Sequence, residues 1–558
     1  MRIIKADIQY KVPQIDLLTF LFDSEYSVSA NNAVLHVSAE NNNHTINKAQ
    51  LRQYAEEVAH GLRTNYGIGS SGPYKDVVTV LSSGQPFSPA IFFGIIAAGG
   101  VSSYASHSAS PQELARQIKQ GLSKVVIVSE DLKDVAVEAA RICELPPENV
   151  LVFGSAPPWT VKSVVGGIAV RTGDEGAPRL SFRRVTDRNE LENSLIILIW
   201  SSGTTGAPKG VMLSHLNVVT ELYIPMKDAR DFAEANADPK APPVELRTIA
   251  HLPTAHIAGV LGYLSGPVLT GAKVFWMRKY EWKSFIEYAG KYKPTTLYTV
   301  PSIYLRIAKS PEVTDQFSEV VAASTGAAKM DQELQRAANA KMGGNLTFIG
   351  QTWGLSETTG AITAQRAGQF DDTGSISPVL PNMQLRLVDD NGNDVEPGQP
   401  GELICKGDIV TKGYFNNPSA TAEAFHDGWF YTGDVAVEKD GKFYIVDRKK
   451  EVFKYKGQQV APAELEGILN THPHVKESAV VGVPDAQSGE VPRAYVVADK
   501  SSVSGEEIAT WLAQRVAPYK QLRGGVVFVD ELPKSAIGKI LRRELRDAAR
   551  KEPKTSKL

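Results

Sequence analysis

Ser194-Leu195-Ile196-Ile197-Leu198-Ile199-Trp200 is almost wholly apolar and rich in branched side chains. That pattern predicts a strand buried on both faces, in a parallel or mixed sheet. The chain then turns polar over Ser201-Ser202-Gly203-Thr204-Thr205-Gly206-Ala207-Pro208-Lys209-Gly210 and is apolar again at Val211-Met212-Leu213. Ser214 is placed to cap a helix running through Leu216, Val218 and Val219. Upstream, Leu51, Tyr54, Ala55, Val58, Ala59 and Leu62 recur at helical spacing. Asp76–Leu81 reads as a strand and Pro89–Ala98 as the helix after it, with Val125–Val128 and Val150–Phe153 as further strands. The alternation predicts an α/β sheet sandwiched by helices, and the polar, Gly/Pro-rich stretch 156–188 reads as loop.

At 558 residues the chain is too long for one ordinary core, so two or more domains are expected. The net charge of -2 argues against a nucleic-acid surface. Cys143 and Cys405 stand far apart, with neither disulfide-scaffold nor zinc spacing, and suit a reducing compartment. The first residues lack the apolar segment of a secretory signal. The uncharged stretch Ser88–Ser110 is broken by Gly94, Gly99 and Gly100. Its apolar core falls short of the about 20 residues that a span needs. It reads as a buried helix leading into a strand, and no integral membrane segment is expected. Ser556-Lys557-Leu558 matches the tripeptide read by the peroxisomal import receptor, so a peroxisomal location is expected, and a cytoplasmic one otherwise.

The loop from Ser201 to Gly210 has the chemistry of a phosphate cradle: glycines permit close backbone approach, while hydroxyls, N–H groups and one lysine supply donors. It lacks the Gly-Lys-Ser/Thr end of a Walker loop and the G-x-G-x-x-G of a dinucleotide fold. The whole block resembles the phosphate loop of the adenylate-forming superfamily, which contains acyl-CoA synthetases, peptide-synthetase adenylation domains and luciferases. Further blocks follow in that family's order, and the resemblance covers about residues 50–549.

The resemblance implies the following roles. Ser201, Ser202, Gly203, Thr204, Thr205, Gly206 and Lys209 bind phosphate. In Leu252-Pro253-Thr254-Ala255-His256, His256 walls the acyl site together with Ile257 and Ala258. Gly326, Ala327 and Ala328 cover one face of adenine, while Trp353, in the Thr352–Gly360 block, stacks on the other. Gly354 belongs to the same block, Ser356 reaches the α-phosphate, and Glu357 holds Mg²⁺. Asp434, in Tyr431-Thr432-Gly433-Asp434, takes the ribose hydroxyls with Arg448. Lys450 is the hinge, and Lys454 and Gln459 face the site only after the lid rotates. Lys539, in the terminal Pro533–Ile540 loop, carries adenylation.

The implied fold is α/β, with a large N-terminal AMP-binding domain over residues 1–447. That domain is built of stacked α/β subdomains with a distorted β-barrel-like part, and a small mobile α+β lid follows over residues 448–558. The closest resemblance is to acyl-CoA synthetases of the coumarate–CoA ligase type. It implies ATP-dependent activation of a carboxylic acid to acyl-AMP, followed by transfer to coenzyme A. A luciferase-like or acyl-AMP-only enzyme is the alternative, and a catalytically dead nucleotide-binding protein is disfavoured by the joint presence of Lys539, Glu357, Asp434 and Arg448. In the acyl pocket, Ala258 replaces a tyrosine common in that ligase type, next to Gly259. Gly360 and Ala361 are small, while Thr352 narrows one wall. The expectation is a hydrophobic acid, either medium-chain aliphatic or unsubstituted aryl.

Overall fold

In the computed structural model the apolar run becomes the strand Ile197–Ser201, which pairs antiparallel with Lys209–Leu213 and parallel with Val101–Ala105. The phosphate-loop block is therefore the connection of a hairpin. The structure describes residues 1–551 except 168–169, 171, 174–175, 202–207, 238–243, 344–347, 377, 457, 486 and 536–537. Ser202, Gly203, Thr204, Thr205 and Gly206 lie outside the described residues, as do Ser556, Lys557 and Leu558.

Outward from the hairpin, the seven-stranded mixed sheet continues through Val77–Leu81, Ser123–Ser129, Val150–Phe153 and Val161–Ser163. The last of these strands lies inside the stretch read as loop, paired antiparallel with Val150–Phe153. Ser88–Ala97 is a helix buried at every residue, leading into Val101–Ala105 as its pattern predicts. The helix Lys48–Tyr66 begins at Asn47, whose side chain and that of Gln50 cap each other's backbone N–H groups.

A four-stranded sheet and a three-stranded parallel sheet (Thr296–Thr299, Ala322–Thr325, Ile349–Gln351) complete the α/β part. The antiparallel part is a six-stranded sheet including Gln384–Val388, Pro400–Lys406, Trp429–Lys439 and Lys442–Arg448. Beyond it, Phe453–Tyr455, Gln458–Val460, Val475–Asp485, Gly489–Ala498 and Val526–Phe528 form a separate five-stranded sheet with its own apolar core. Among the described residues, no helix is long and apolar enough to cross a membrane.

Polar contacts join the small domain to the large one. Lys309 Nζ donates to the carbonyls of Asn470 at 2.7 Å and Val475 at 2.6 Å. Asp447, in the strand Lys442–Arg448 of the six-stranded sheet, accepts from the Ala463 N–H at 2.9 Å. Its carboxylate thus caps the helix Pro462–Asn470, whose own N-cap residue, Ala461, offers no side-chain acceptor. Such a cap is worth about 1 kcal/mol.

Candidate active site

The hairpin, the turn after Pro253, the Thr352–Ala361 segment, the Arg448–Lys450 segment and the terminal loop enclose one cleft of about 1400 Å³. Each delivers its side chain for a local reason. Ser201 and Lys209 end the two hairpin strands, with Ser201 Oγ 3.5 Å from the Lys209 carbonyl. Lys209 Nζ lies 4.8 Å from the centre of the Tyr414 ring, and the Tyr414 hydroxyl donates to Glu357 Oε1 at 3.0 Å. Ser214 caps the helix His215–Ala235 as expected, exchanging hydrogen bonds with Asn217.

His256 starts the short helix Ile257–Gly259, which runs into a π-helical turn over Val260–Ser265. The Ala258 N–H donates to His256 Nδ1 at 3.3 Å. Burial, and then the neighbouring Lys539 cation, push the His256 imidazole down to about 4. It is thus a neutral wall group, alongside Ile257 and Ala258. His251, in the same block, lies outside the cleft lining, bonded to the Ile249 carbonyl and to Thr299 Oγ1.

Gly326 and Ala327 line the cleft, and Ala328 does not. A Cβ at Gly326 would come 2.8 Å from Thr352 Oγ1, so the two segments pack closely there. Ala327 holds a left-handed φ of 67°, a strained conformation for a residue with a side chain. Gly354, Ser356 and Glu357 line the same space. Glu357 sits in a tight turn, and its second carboxylate oxygen has no hydrogen-bond partner among the described residues. Those residues hold no group of three or more His, Cys, Asp or Glu placed for a metal. A single carboxylate suffices for Mg²⁺, which takes one or two carboxylates together with substrate phosphates.

Asp434 is 6 % exposed and stands just behind the cleft wall formed by Thr432 and Gly433. Gly433 adopts a φ of 73°, which makes the turn that presents it. Arg448 Nε lies 3.2 Å from Asp434 Oδ1, and the Trp353 indole donates to Oδ2 at 2.8 Å. Trp353 is buried and is not part of the cleft lining. An indole N–H removed from water needs an acceptor. Here that need orients Asp434, where the motif implies a face for adenine.

Lys539 reaches the cleft on a loop held by the Ser535 N–H to the Lys539 carbonyl at 2.8 Å and a turn at Gly538 with φ 76°. A Cβ at Gly538 would approach Ser302 Oγ to 3.2 Å, so the loop rests on the large domain. Burial, and then Arg448, push the Lys539 amine down to about 8. Lys450 lines the cleft mouth, while Lys454 and Gln459 face one another across the Phe453–Val460 hairpin, exposed and away from it.

Two glycines of this region are closely packed. A Cβ at Gly259 would meet the Pro253 carbonyl at 2.4 Å, and one at Gly360 would meet Glu221 Oε1 at 2.4 Å. Glu221, on the helix His215–Ala235, was not foreseen. It lines the cleft among Leu222, Pro225, Leu261 and Ala361.

The AMP-binding enzyme family matches residues 27–415, and the AMP-binding enzyme C-terminal domain matches 464–539. A chain of Emericella nidulans, provisionally named an acyl-coenzyme A synthetase, is 47% identical over 97% of both chains. The phenylacetyl-CoA ligase epaB of Aspergillus niger is 32% identical over 96% of this chain and 97% of its own. The crystal structure of ATP-bound MatB from Rhodopseudomonas palustris superposes with a TM-score of 0.79 at 25% identity, covering 96% of this chain and 99% of that one. The chain belongs to the AMP-binding enzyme family, within the adenylate-forming superfamily, and is an AMP-forming ligase with acyl-CoA synthetases among its homologues.

Proposed function

We propose that the cleft activates a carboxylic acid with a mainly apolar body, aryl or medium-chain, and passes it to coenzyme A. One observation carries the reading. Lys539 from the small domain and Arg448, held by Asp434 behind the wall, meet Ser356, Glu357 and a neutral His256 around a single space that continues into the apolar wall of Ile257, Ala258, Leu222 and Leu261.

In the first step a carboxylate oxygen attacks the α-phosphorus of ATP, and the bond to pyrophosphate breaks. Negative charge gathers on the phosphate oxygens, and preorganised donors stabilise it without reorganising. Lys539 and the Ser201–Lys209 hairpin are those donors, while Asp434, oriented by Trp353 and Arg448, holds the ribose. Glu357 would hold Mg²⁺, which supplies charge neutralisation on the phosphates. In the second step the coenzyme A thiolate attacks the acyl carbon and AMP leaves, its phosphate taking the electron pair. The disposition described here, with Lys539 in the cleft and Lys454 and Gln459 outside it, suits the first step. The second requires the small domain to turn about Lys450, a rigid-body change of a common kind.

The test is kcat/KM for phenylacetate, cinnamate and a series of fatty acids in a coenzyme A-dependent assay of AMP formation. Aryl or medium-chain acids should lead, and a best substrate that is short and dianionic would reject the pocket reading. Peroxisomal location is a separate proposal, on Ser556-Lys557-Leu558. Deleting Leu558 should leave the protein cytosolic by microscopy, and unaffected import would reject it.

A further inference from the structure

The acyl wall contains a carboxyl group that neither half-reaction uses. Glu221 is 7 % exposed and lies four residues before Pro225 on the helix His215–Ala235. Pro225 has no N–H to give the Glu221 carbonyl, so the helix is loosened where it meets the cleft. Glu221 Oε1 accepts from the Ala361 N–H at 2.7 Å, and the absence of a side chain at Gly360 makes room for it. Among the described residues, the Ala361 N–H is the one hydrogen-bond partner of the carboxyl, leaving Oε2 without one and no cation in an ion pair with it. Nor is Oε2 among the buried side-chain atoms that are sealed away without a partner. Glu221 lines the cleft together with Leu222, Leu261 and Ala361, and with Oε1 taken by the Ala361 N–H, Oε2 is the oxygen left for what enters it. Burial holds the carboxyl well above the usual carboxylate range, against the Ala361 N–H, which pulls the other way.

A wall built only to exclude water gains nothing from a carboxyl at this point. One oxygen fixes the side chain to the Gly360–Thr363 strand, and the other is left for whatever fills the pocket. We propose that Glu221 is the specificity-determining residue of the acyl pocket, and that Oε2 hydrogen-bonds a hydroxyl carried by the acid at the end remote from its carboxylate. The inference rests on the acyl-CoA ligase reading above and names its substrate class more closely. A site built to pair a polar group rejects the analogue lacking it, because the site's own group is then left unpaired, whereas an apolar pocket discriminates weakly. Without a cation beside it, a buried carboxyl is better matched by a neutral hydroxyl than by an apolar end.

The experiment compares matched acids in the pyrophosphate-release assay: phenylacetate with 4-hydroxyphenylacetate, and octanoate with 8-hydroxyoctanoate and 8-aminooctanoate. In the native enzyme one hydroxy acid should exceed its plain partner by at least about tenfold in kcat/KM. In Glu221→Leu that ratio should fall by about 10–10², and Glu221→Gln, which can still pair a hydroxyl, should keep it above one. A purely structural role for Glu221 would lower both members of a pair together and leave the ratio unmoved, which would overturn the inference. So would a native preference for the plain acids or for the amino acid, results that need no variant to fold. Failure of every acid to release pyrophosphate would overturn the ligase reading itself. Release with an unmoved ratio removes only the role of Glu221.

Discussion

The proposed first step depends most on Lys539, and the structure gives its pH dependence a definite sign. Its amine is held at about 8, chiefly by burial and next by Arg448, with Asp434 and Glu451 opposing. Below that value it carries the positive charge that the departing pyrophosphate requires, and above it the charge is lost. About nine tenths of the free enzyme is then cationic at pH 7 and about one tenth at pH 9. The specificity constant for ATP reports the free enzyme, so in ATP–pyrophosphate exchange it should fall about tenfold between these pH values. Lys539→Ala should lower exchange by about 10²–10³, the usual loss for a preorganised charge-stabilising donor. It should also abolish the alkaline fall, while thioester formation from supplied acyl-AMP survives. An alkaline limb that persists in Lys539→Ala, or exchange within severalfold of native, would refute the reasoning.

Trp353→Phe keeps the ring and removes the donor to Asp434 Oδ2. A hydrogen bond to a charged group is worth roughly 1.5–3 kcal/mol, so the ATP Kd by calorimetry should rise about tenfold or more. The same change in an Asp434→Ala background should add almost nothing, and additive losses would count against the coupling. Asp447→Ala frees the Ala463 N–H and uncaps the small-domain helix. The cap's value of about 1 kcal/mol predicts a severalfold slower adenylation with thioester formation from acyl-AMP unchanged. Equal slowing of both half-reactions would show that the contact does not favour this disposition.

Local chemistry made the scaffold legible. The run before Ser201 is apolar at every position that the sheet covers, and Ser214 carries its helix start in its own side chain. The order of motifs around Ser201, His256, Glu357, Asp434 and Lys539 foretold most of one cleft, because each motif is a short segment with its own turn. The missing features are contacts between distant segments. Trp353 meets a carboxylate 81 residues away, Glu221 meets a backbone N–H 140 residues away, and Asp447 caps a helix in the next domain. Two glycines owe their place to the same kind of contact: the Pro253 carbonyl packs against Gly259 and the Glu221 carboxyl against Gly360, which leaves no room for a side chain at either. Within its helix Glu221 looks like one more polar position, and only the packing of Ala361 against that helix places it in the pocket.

The central claim is that one cleft forms acyl-AMP and then surrenders it to coenzyme A. Its most direct measurement is a rapid-quench single turnover with α-labelled ATP and an activated acid, first without coenzyme A. Close to one acyl-AMP per enzyme should accumulate, and adding coenzyme A should convert it to AMP and thioester in equal amounts. Label appearing as ADP, or acyl-AMP indifferent to coenzyme A, would contradict the account.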